Sequence, residues 1–187
     1  MDVGINDALF ETVRRAVERV CQRAQEDRKL VVTEGDLQSW IFVELAEVST
    51  NRESDVHVHT QINYLKDDDS LGHVPDIVLL PSSAYSVDPD GGLYDRKGYT
   101  VWGSSIAIEL KLLRSHRSDG FTISVKEDFV KLQRIRDRHY TPDRDHRFYA
   151  ASVVLCRQHL PEDDVANLRE AAAEAGVQLW IFNKPID

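Results

Sequence analysis

Three side chains suited to hydrolytic chemistry stand near the ends of two apolar runs: Asp76, directly after Pro75, and Glu109 with Lys111, separated by Leu110. A strand points residues i and i+2 to one face, so Glu109 and Lys111 stand side by side while Leu110 anchors the strand in the core. If the run that Asp76 opens neighbours this strand, its carboxylate reaches the same spot. Two carboxylates converging there repel unless a divalent cation sits between them, and their hard oxygens suit Mg²⁺ or Mn²⁺. Such an ion lowers the pKa of a bound water and neutralises a phosphate, while a neighbouring ammonium orients the nucleophile or stabilises the transition state. The chemistry expected is hydrolysis of a phosphate ester.

The bare strings carry little weight, because Pro-Asp also occurs at Pro89-Asp90 and Pro142-Asp143, and acid-x-Lys at Asp27-x-Lys29 and Asp95-x-Lys97. Context selects among them: one combination alone occupies two successive predicted strands. That combination, Pro75-Asp76 with Glu109-x-Lys111, resembles the signature of the PD-(D/E)xK nuclease superfamily, and the element order over residues 34–183 is similar to its restriction-endonuclease-like fold. The resemblance implies that Asp76 and Glu109 bind the metal, that the Leu110 carbonyl is a further ligand, and that Lys111 is catalytic. Relatives such as archaeal Holliday junction resolvases and RecB-like nucleases place a glutamate on the helix before the first strand. Glu34, followed by Leu37, Trp40 and Ile41, is similar to that pattern and is assigned to the metal and the catalytic set; Glu44, on the same stripe, is a rival.

The elements that must position these groups follow from periodicity. Leu9, Phe10, Val13, Val17, Val20 and Cys21 share one side of a first helix over residues 6–27. Thr33 with Asp36 resembles a capping pattern that opens a second helix, continued by Leu37, Trp40, Ile41, Leu45 and Val48. Val56 to Tyr64 alternate as a strand, Asp67–Asp69 form a turn, and Ile77 to Leu80 are a short interior strand bounded by Pro75 and Pro81. After an irregular Gly-rich stretch over 82–98, Val101 to Leu113 form the clearest strand, with Ile106, Ile108, Leu110 and Leu112 on one face. A basic loop over 114–120 leads to a third helix over 126–138, a strand near 149–156, a fourth helix from Pro161 to Gly176 and a closing strand over 177–182. The order ααβββαβαβ predicts an α/β fold, a restriction-endonuclease-like mixed central sheet flanked by helices.

The chain has 187 residues, about one domain's worth. The expected organisation is a single nuclease-like domain over 1–187, with residues 1–30 a helical extension that offers a dimerisation surface and 31–187 the core. Net charge is −9, which argues against a polyanionic partner on average. Residues 111–147, however, hold 10 Lys and Arg against 6 Asp and Glu. Phosphate contacts are therefore expected there, from Arg114 in the loop and Arg134 on the third helix. By similarity to nucleases that present a polar residue towards the site, Lys131 and Gln133 join them. Asp137 stands four residues after Gln133, so the Gln-x-x-x-Tyr of RecB-like members is not reproduced. His57 and His59 share a strand face but lack a third convergent ligand. No apolar run reaches the ~18 residues of a membrane span, and the acidic N-terminal stretch lacks the pattern of a secretory signal. Cys21 and Cys156 lie in apolar segments as reduced thiols, and Trp40, Trp102 and Trp180 are expected in the core. The functional expectation is a cytoplasmic, Mg²⁺- or Mn²⁺-dependent endonuclease acting on DNA in repair, recombination or defence, as a homodimer or within a larger nuclease or defence complex and without a membrane. The rivals are a catalytically inactive binding or assembly module of the same fold and an unrelated small-molecule phosphoesterase.

Overall fold

A computed structural model describes residues 4–50, 55–60, 62–65, 71–84, 103–114, 119–140 and 146–185. Two helices, α1 (Asp7–Glu26) and α2 (Glu34–Thr50), precede the strands β1 (Val56–Thr60), β2 (Tyr64–Leu65), β3 (Leu71–His73), β4 (Ile77–Pro81) and β5 (Ser105–Leu113). Helix α3 (Asp119–His139), strand β6 (Phe148–Cys156), helix α4 (Glu162–Glu174) and strand β7 (Gln178–Phe182) follow. The central sheet runs β1-β4-β5-β6-β7, and β2 and β3 pair separately. The β1–β4 and β4–β5 pairs are antiparallel, whereas β5, β6 and β7 are parallel. This is the expected mixed sheet flanked by helices.

The alternation along β5 assigns its two faces. Ile106, Ile108, Leu110 and Leu112 pack in a core with α1, α2 and Trp180, while Ala107 and Leu113 pack on the other side with α3 and α4. Helix α1 is integral to the fold: Leu9, Phe10, Val13, Val17 and Val20 are buried in that first core. The apolar stripe of α1 is thus covered within the chain. Asn6 caps α1 by accepting from the Leu9 N–H, and Asp36 accepts from the Val32 and Thr33 N–H groups at the start of α2. The Thr33 hydroxyl accepts in return from Asp36 N–H, which completes the expected capping box. Gly176, just past α4, has φ +64, and Arg136 fills the space its missing Cβ leaves.

Differences from the periodicity have local causes. The first strand ends at Thr60, not Tyr64, because Thr60 already faces Ile77 and Pro75 cannot extend β4 as a ladder partner. Tyr64–Leu65 then turns to pair with Leu71–His73. Helix α3 starts at Asp119, seven residues before Lys126. Its first turns carry Gly120, Thr122 and Ser124, poor helix formers held by packing of Phe121. Trp40 is 37% exposed rather than core; its Nε1 donates to the Leu30 carbonyl and the Arg23 guanidinium lies 5.4 Å above its ring. Trp180 is buried, and Trp102 lies outside the described residues, as do Asp67–Asp69, most of 82–98 and Pro142-Asp143. Both cysteines are buried free thiols, and burial pushes Cys156 up to about 12. Among the described residues, no helix is long and apolar enough to cross a membrane.

Candidate active site

Strand β5 is hydrogen-bonded on both sides over its first residues, but β4 faces only Leu79↔Ile106 to Ile77↔Ile108. Beyond Ile108, β5 keeps β6 on one side and, among the described residues, has no strand on the other. Backbone N–H groups along that open edge need acceptors, and two carboxylates supply them. Asp76 Oδ2 accepts from the Leu110 N–H at 2.8 Å, and Glu34 Oε2 accepts from the Leu112 N–H at 3.3 Å. The two acids thus lie along one strand edge, two residues apart in register. Sequence order separates them by 42 positions; the interrupted sheet brings them together.

Glu109 and Lys111 leave β5 on the α3 face, as the alternation requires. Glu109 is 1% exposed, and Lys131 of α3 places its ammonium 2.6 Å from Glu109 Oε1. Lys131 also donates to the Val74 carbonyl at 3.3 Å and lies 3.5 Å from Asp128 Oδ1. Lys111 Nζ is 2.9 Å from Asp128 Oδ2 and 3.9 Å from Glu34 Oε1. Gln38 of α2 donates from Nε2 to the Asp76 carbonyl at 2.6 Å and so fixes the backbone that presents Asp76. Asp76, Glu109, Lys111 and Glu34 are therefore brought to one place, together with Asp128, Lys131 and Gln38.

Burial dominates the electrostatics. It pushes the Glu109 carboxyl up to about 8, with Lys131 pulling it down and Asp76 and Asp128 adding to the rise. Burial also raises Glu34, against the pull of Lys111 and the Leu112 N–H. On Lys111 burial acts downward, but the Asp128 hydrogen bond and the charges of Asp128, Glu34 and Asp76 outweigh it, so the ammonium is held above its ordinary range. Glu109 Oε1 and Asp128 Oδ2 are buried with no well-angled hydrogen bond, although each meets a lysine ammonium. Among the described residues, no three His, Cys, Asp or Glu side chains form a group that could hold a metal ion as they stand; lysines are interposed between the acids.

The other candidates are dispersed. Lys131, expected to grip phosphate, is committed to Glu109. Gln133 is half-buried on α3, Arg134 is exposed there, and Arg114 is exposed directly after β5. Glu44 faces α1, with its carboxylate 2.7 Å from Arg19, so of the two helix acids Glu34 is the one at the site. His57 lies 3.8 Å from Asp55 on the sheet's outer strand. Asp128 and Gln38 were not singled out from sequence. Asp128 carried a usable signal: it falls within the buried stripe Val125, Phe129, Leu132, where an unpaired acid is costly.

No family model matches the chain, and no curated protein sequence does. Among solved structures, the cAAA-bound form of NucC from P. aeruginosa ATCC27853 matches with a TM-score of 0.50 at 10% identity, covering 90% of this chain and 72% of that one. The cAAA-bound form of NucC from E. coli MS115-1 matches at 0.44 and 10% identity, over 78% of this chain and 62% of that one. The chain is thus similar in fold to NucC.

Proposed function

We propose that this chain is a metal-dependent deoxyribonuclease of the PD-(D/E)xK type, hydrolysing DNA phosphodiester bonds by attack of an activated water. The observation that carries the reading is the Asp76–Leu110 hydrogen bond at 2.8 Å, which sets Asp76 at the edge of the strand that bears Glu109 and Lys111. The donor chemistry fits a hard divalent cation: Asp76, Glu109, Glu34 and the Leu110 carbonyl offer oxygen only, and Glu109 Oε1 is buried without a well-angled hydrogen bond. When bound, Mg²⁺ or Mn²⁺ supplies a water of lowered pKa and offsets the charge of the scissile phosphate.

The chain's own residues do the rest. Lys111, held charged by Asp128, sets an ammonium where transition-state charge on the phosphate grows. Lys131 balances Glu109 and yields that oxygen when an ion is present. Arg114, Arg134 and Gln133, outside the acid cluster, contact the backbone of the DNA strand. A second copy, or a larger defence complex, supplies the second cut that a duplex needs.

The fold shared with NucC supports a nuclease scaffold. One observation favours a second reading, a nuclease-fold binding module: the Lys131–Glu109 pair satisfies the carboxylate without a metal. Incubation of supercoiled, linear and branched DNA with Mg²⁺ or Mn²⁺ separates the two. Cleavage by the wild type and its loss in Lys111→Ala support the enzyme. Mn²⁺ binding with DNA left intact supports the module.

A further inference from the structure

A cavity of about 130 Å³ opens between the end of α1, the end of β6 and the segment after β7. Its walls are apolar at Ala24, Leu155 and Pro185 and cationic at Arg28, Arg157 and Lys184; no carboxylate is among the residues that line it. In a chain of net charge −9, three cations line this one cavity, and Arg157 is near enough to Asp36 to act on its carboxylate. The walls are built rather than draped. Asn183 exchanges two hydrogen bonds with the Leu160 backbone, and its carbonyl accepts from Gln25 of α1. The Lys184 carbonyl meets His159 Nδ1 at 2.9 Å. Arg157 is fixed by donation from Nη2 to the Arg28 carbonyl, yet its Nε is buried with no hydrogen-bond partner among the described residues. A buried guanidinium nitrogen without an acceptor is a standing demand for an anion.

The location ties the cavity to the acids described above. Arg157 N–H donates to the Leu113 carbonyl, so Arg157 sits beside the end of the same strand that carries Glu109 and Lys111. With ~3.3 Å per residue along a strand and ~4.8 Å between strands, the Arg157 backbone lies on the order of 10 Å from that of Lys111, with the cavity on the α1 face of the sheet and Lys111 on the α3 face, so a strand joining them passes around the end of the sheet. Both lie at the carboxyl ends of the parallel strands, where ligands of open α/β sheets bind.

We propose that this cavity is a nucleotide subsite that takes one nucleotide of a DNA strand, its phosphate on Arg28, Arg157 and Lys184 and its base against Ala24, Leu155 and Pro185. The assignment rests on the nuclease reading for the source of the nucleotide, but not for the binding itself. The probe is 5′-dAMP, titrated calorimetrically in the absence of metal against the wild type, Lys111→Ala, Arg157→Gln and Arg28→Gln. Arg28→Gln keeps the carbonyl that holds Arg157, and thermal melting shows that each variant is folded. Saturable binding is expected, unchanged in Lys111→Ala, weakened about tenfold or more in both arginine variants and weakened by added salt. Displacement of dAMP by a short oligodeoxyadenylate is expected as well.

Binding that survives both arginine substitutions overturns the site, as does no binding at all. Inorganic phosphate binding as tightly as dAMP overturns the base contact, and failure of the oligonucleotide to compete overturns the strand as its source. Failure of the nuclease reading looks different: DNA uncut by the wild type while dAMP still binds in the arginine-dependent way.

Discussion

Two polar clusters are buried along β5, and they are built on opposite logic. At its start, the Ser105 hydroxyl lies 3.1 Å from Tyr64 OH and 2.6 Å from Tyr140 OH, a neutral chain in which each oxygen has a hydrogen-bond partner. Four to six residues on, Glu109 and Lys111 join Asp128 and Lys131, four titratable groups of which two oxygens lack a well-angled hydrogen bond. The first cluster sits beside β6, one residue before the stretch that β4 also flanks, and the second where β4 has ended. Hydroxyl pairs satisfy each other at little cost, whereas converging carboxylates stay tolerable only with cations to hand. A fold that needed only stability had the first solution available along the same strand. Charge placed instead at the open edge is what the proposed function puts to use.

The largest expected difference between the clusters is catalytic. Asp76→Asn keeps an oxygen to accept from the Leu110 N–H but removes the negative charge. Plasmid cleavage should fall by about 10³-fold, roughly 4 kcal/mol of barrier, while the melting temperature stays near that of the wild type. Retained cleavage would show that Asp76 serves only to close the strand edge.

Next comes a pH signature confined to the charged cluster. The Glu109 carboxyl is raised from 4.5 to about 8, so between those values the folded, metal-free protein keeps a proton that the unfolded chain releases. Stability must then fall as pH rises across that window, with a limiting slope of about 1.4 kcal/mol per pH unit for one proton. Urea unfolding at several pH values should show the slope, and Glu109→Gln should flatten it. A wild-type curve that climbs instead through this range would mean that Lys131 keeps Glu109 ionised.

The neutral cluster should answer differently. Ser105→Ala leaves the Tyr64 and Tyr140 hydroxyls short of a shared partner, with an expected loss of about 1–2 kcal/mol in stability and no change in cleavage at a temperature where the variant is folded. A drop in cleavage larger than the drop in folded fraction would join the two ends of β5 into one functional unit and erase the contrast.

How much of this was legible follows from which geometry is local. The period of two along a strand put Glu109 and Lys111 on one face and Leu110 in the core before any fold was known, and Pro75 placed Asp76 at a strand start. The pairing of Asp128 with Lys111 and of Lys131 with Glu109 depends on how α3 lies across the sheet. The stripe of α3 marks Asp128 as an acid in need of a partner without saying which one. Gln38 is a polar residue on a helix until the fold brings the Asp76 carbonyl to it. The end of β1 at Thr60 was hidden for the same reason, since alternation continues to Tyr64 but the partner strand does not.

The smallest effect separates the two glutamates of α2, which sequence alone left as rivals. Both are carboxylates on one helix with a cationic neighbour, Glu34 beside Lys111 at 3.9 Å and Glu44 beside Arg19 at 2.7 Å. By distance, Glu44 makes the better ion pair. Its partner is 54% exposed, however, and such pairs contribute about 0.2–1 kcal/mol because solvent screens them and two side chains must be ordered. Glu34 makes the poorer pair but also accepts the Leu112 N–H at the open edge, so its charge is tied to the strand that carries the site. Glu44→Gln should therefore cost under about 0.5 kcal/mol of stability and leave cleavage unchanged, whereas Glu34→Gln should slow cleavage about tenfold at similar stability. Equal effects of the two substitutions on cleavage would mean that the place of Glu34 at the open edge of β5 gives it no particular part in the reaction.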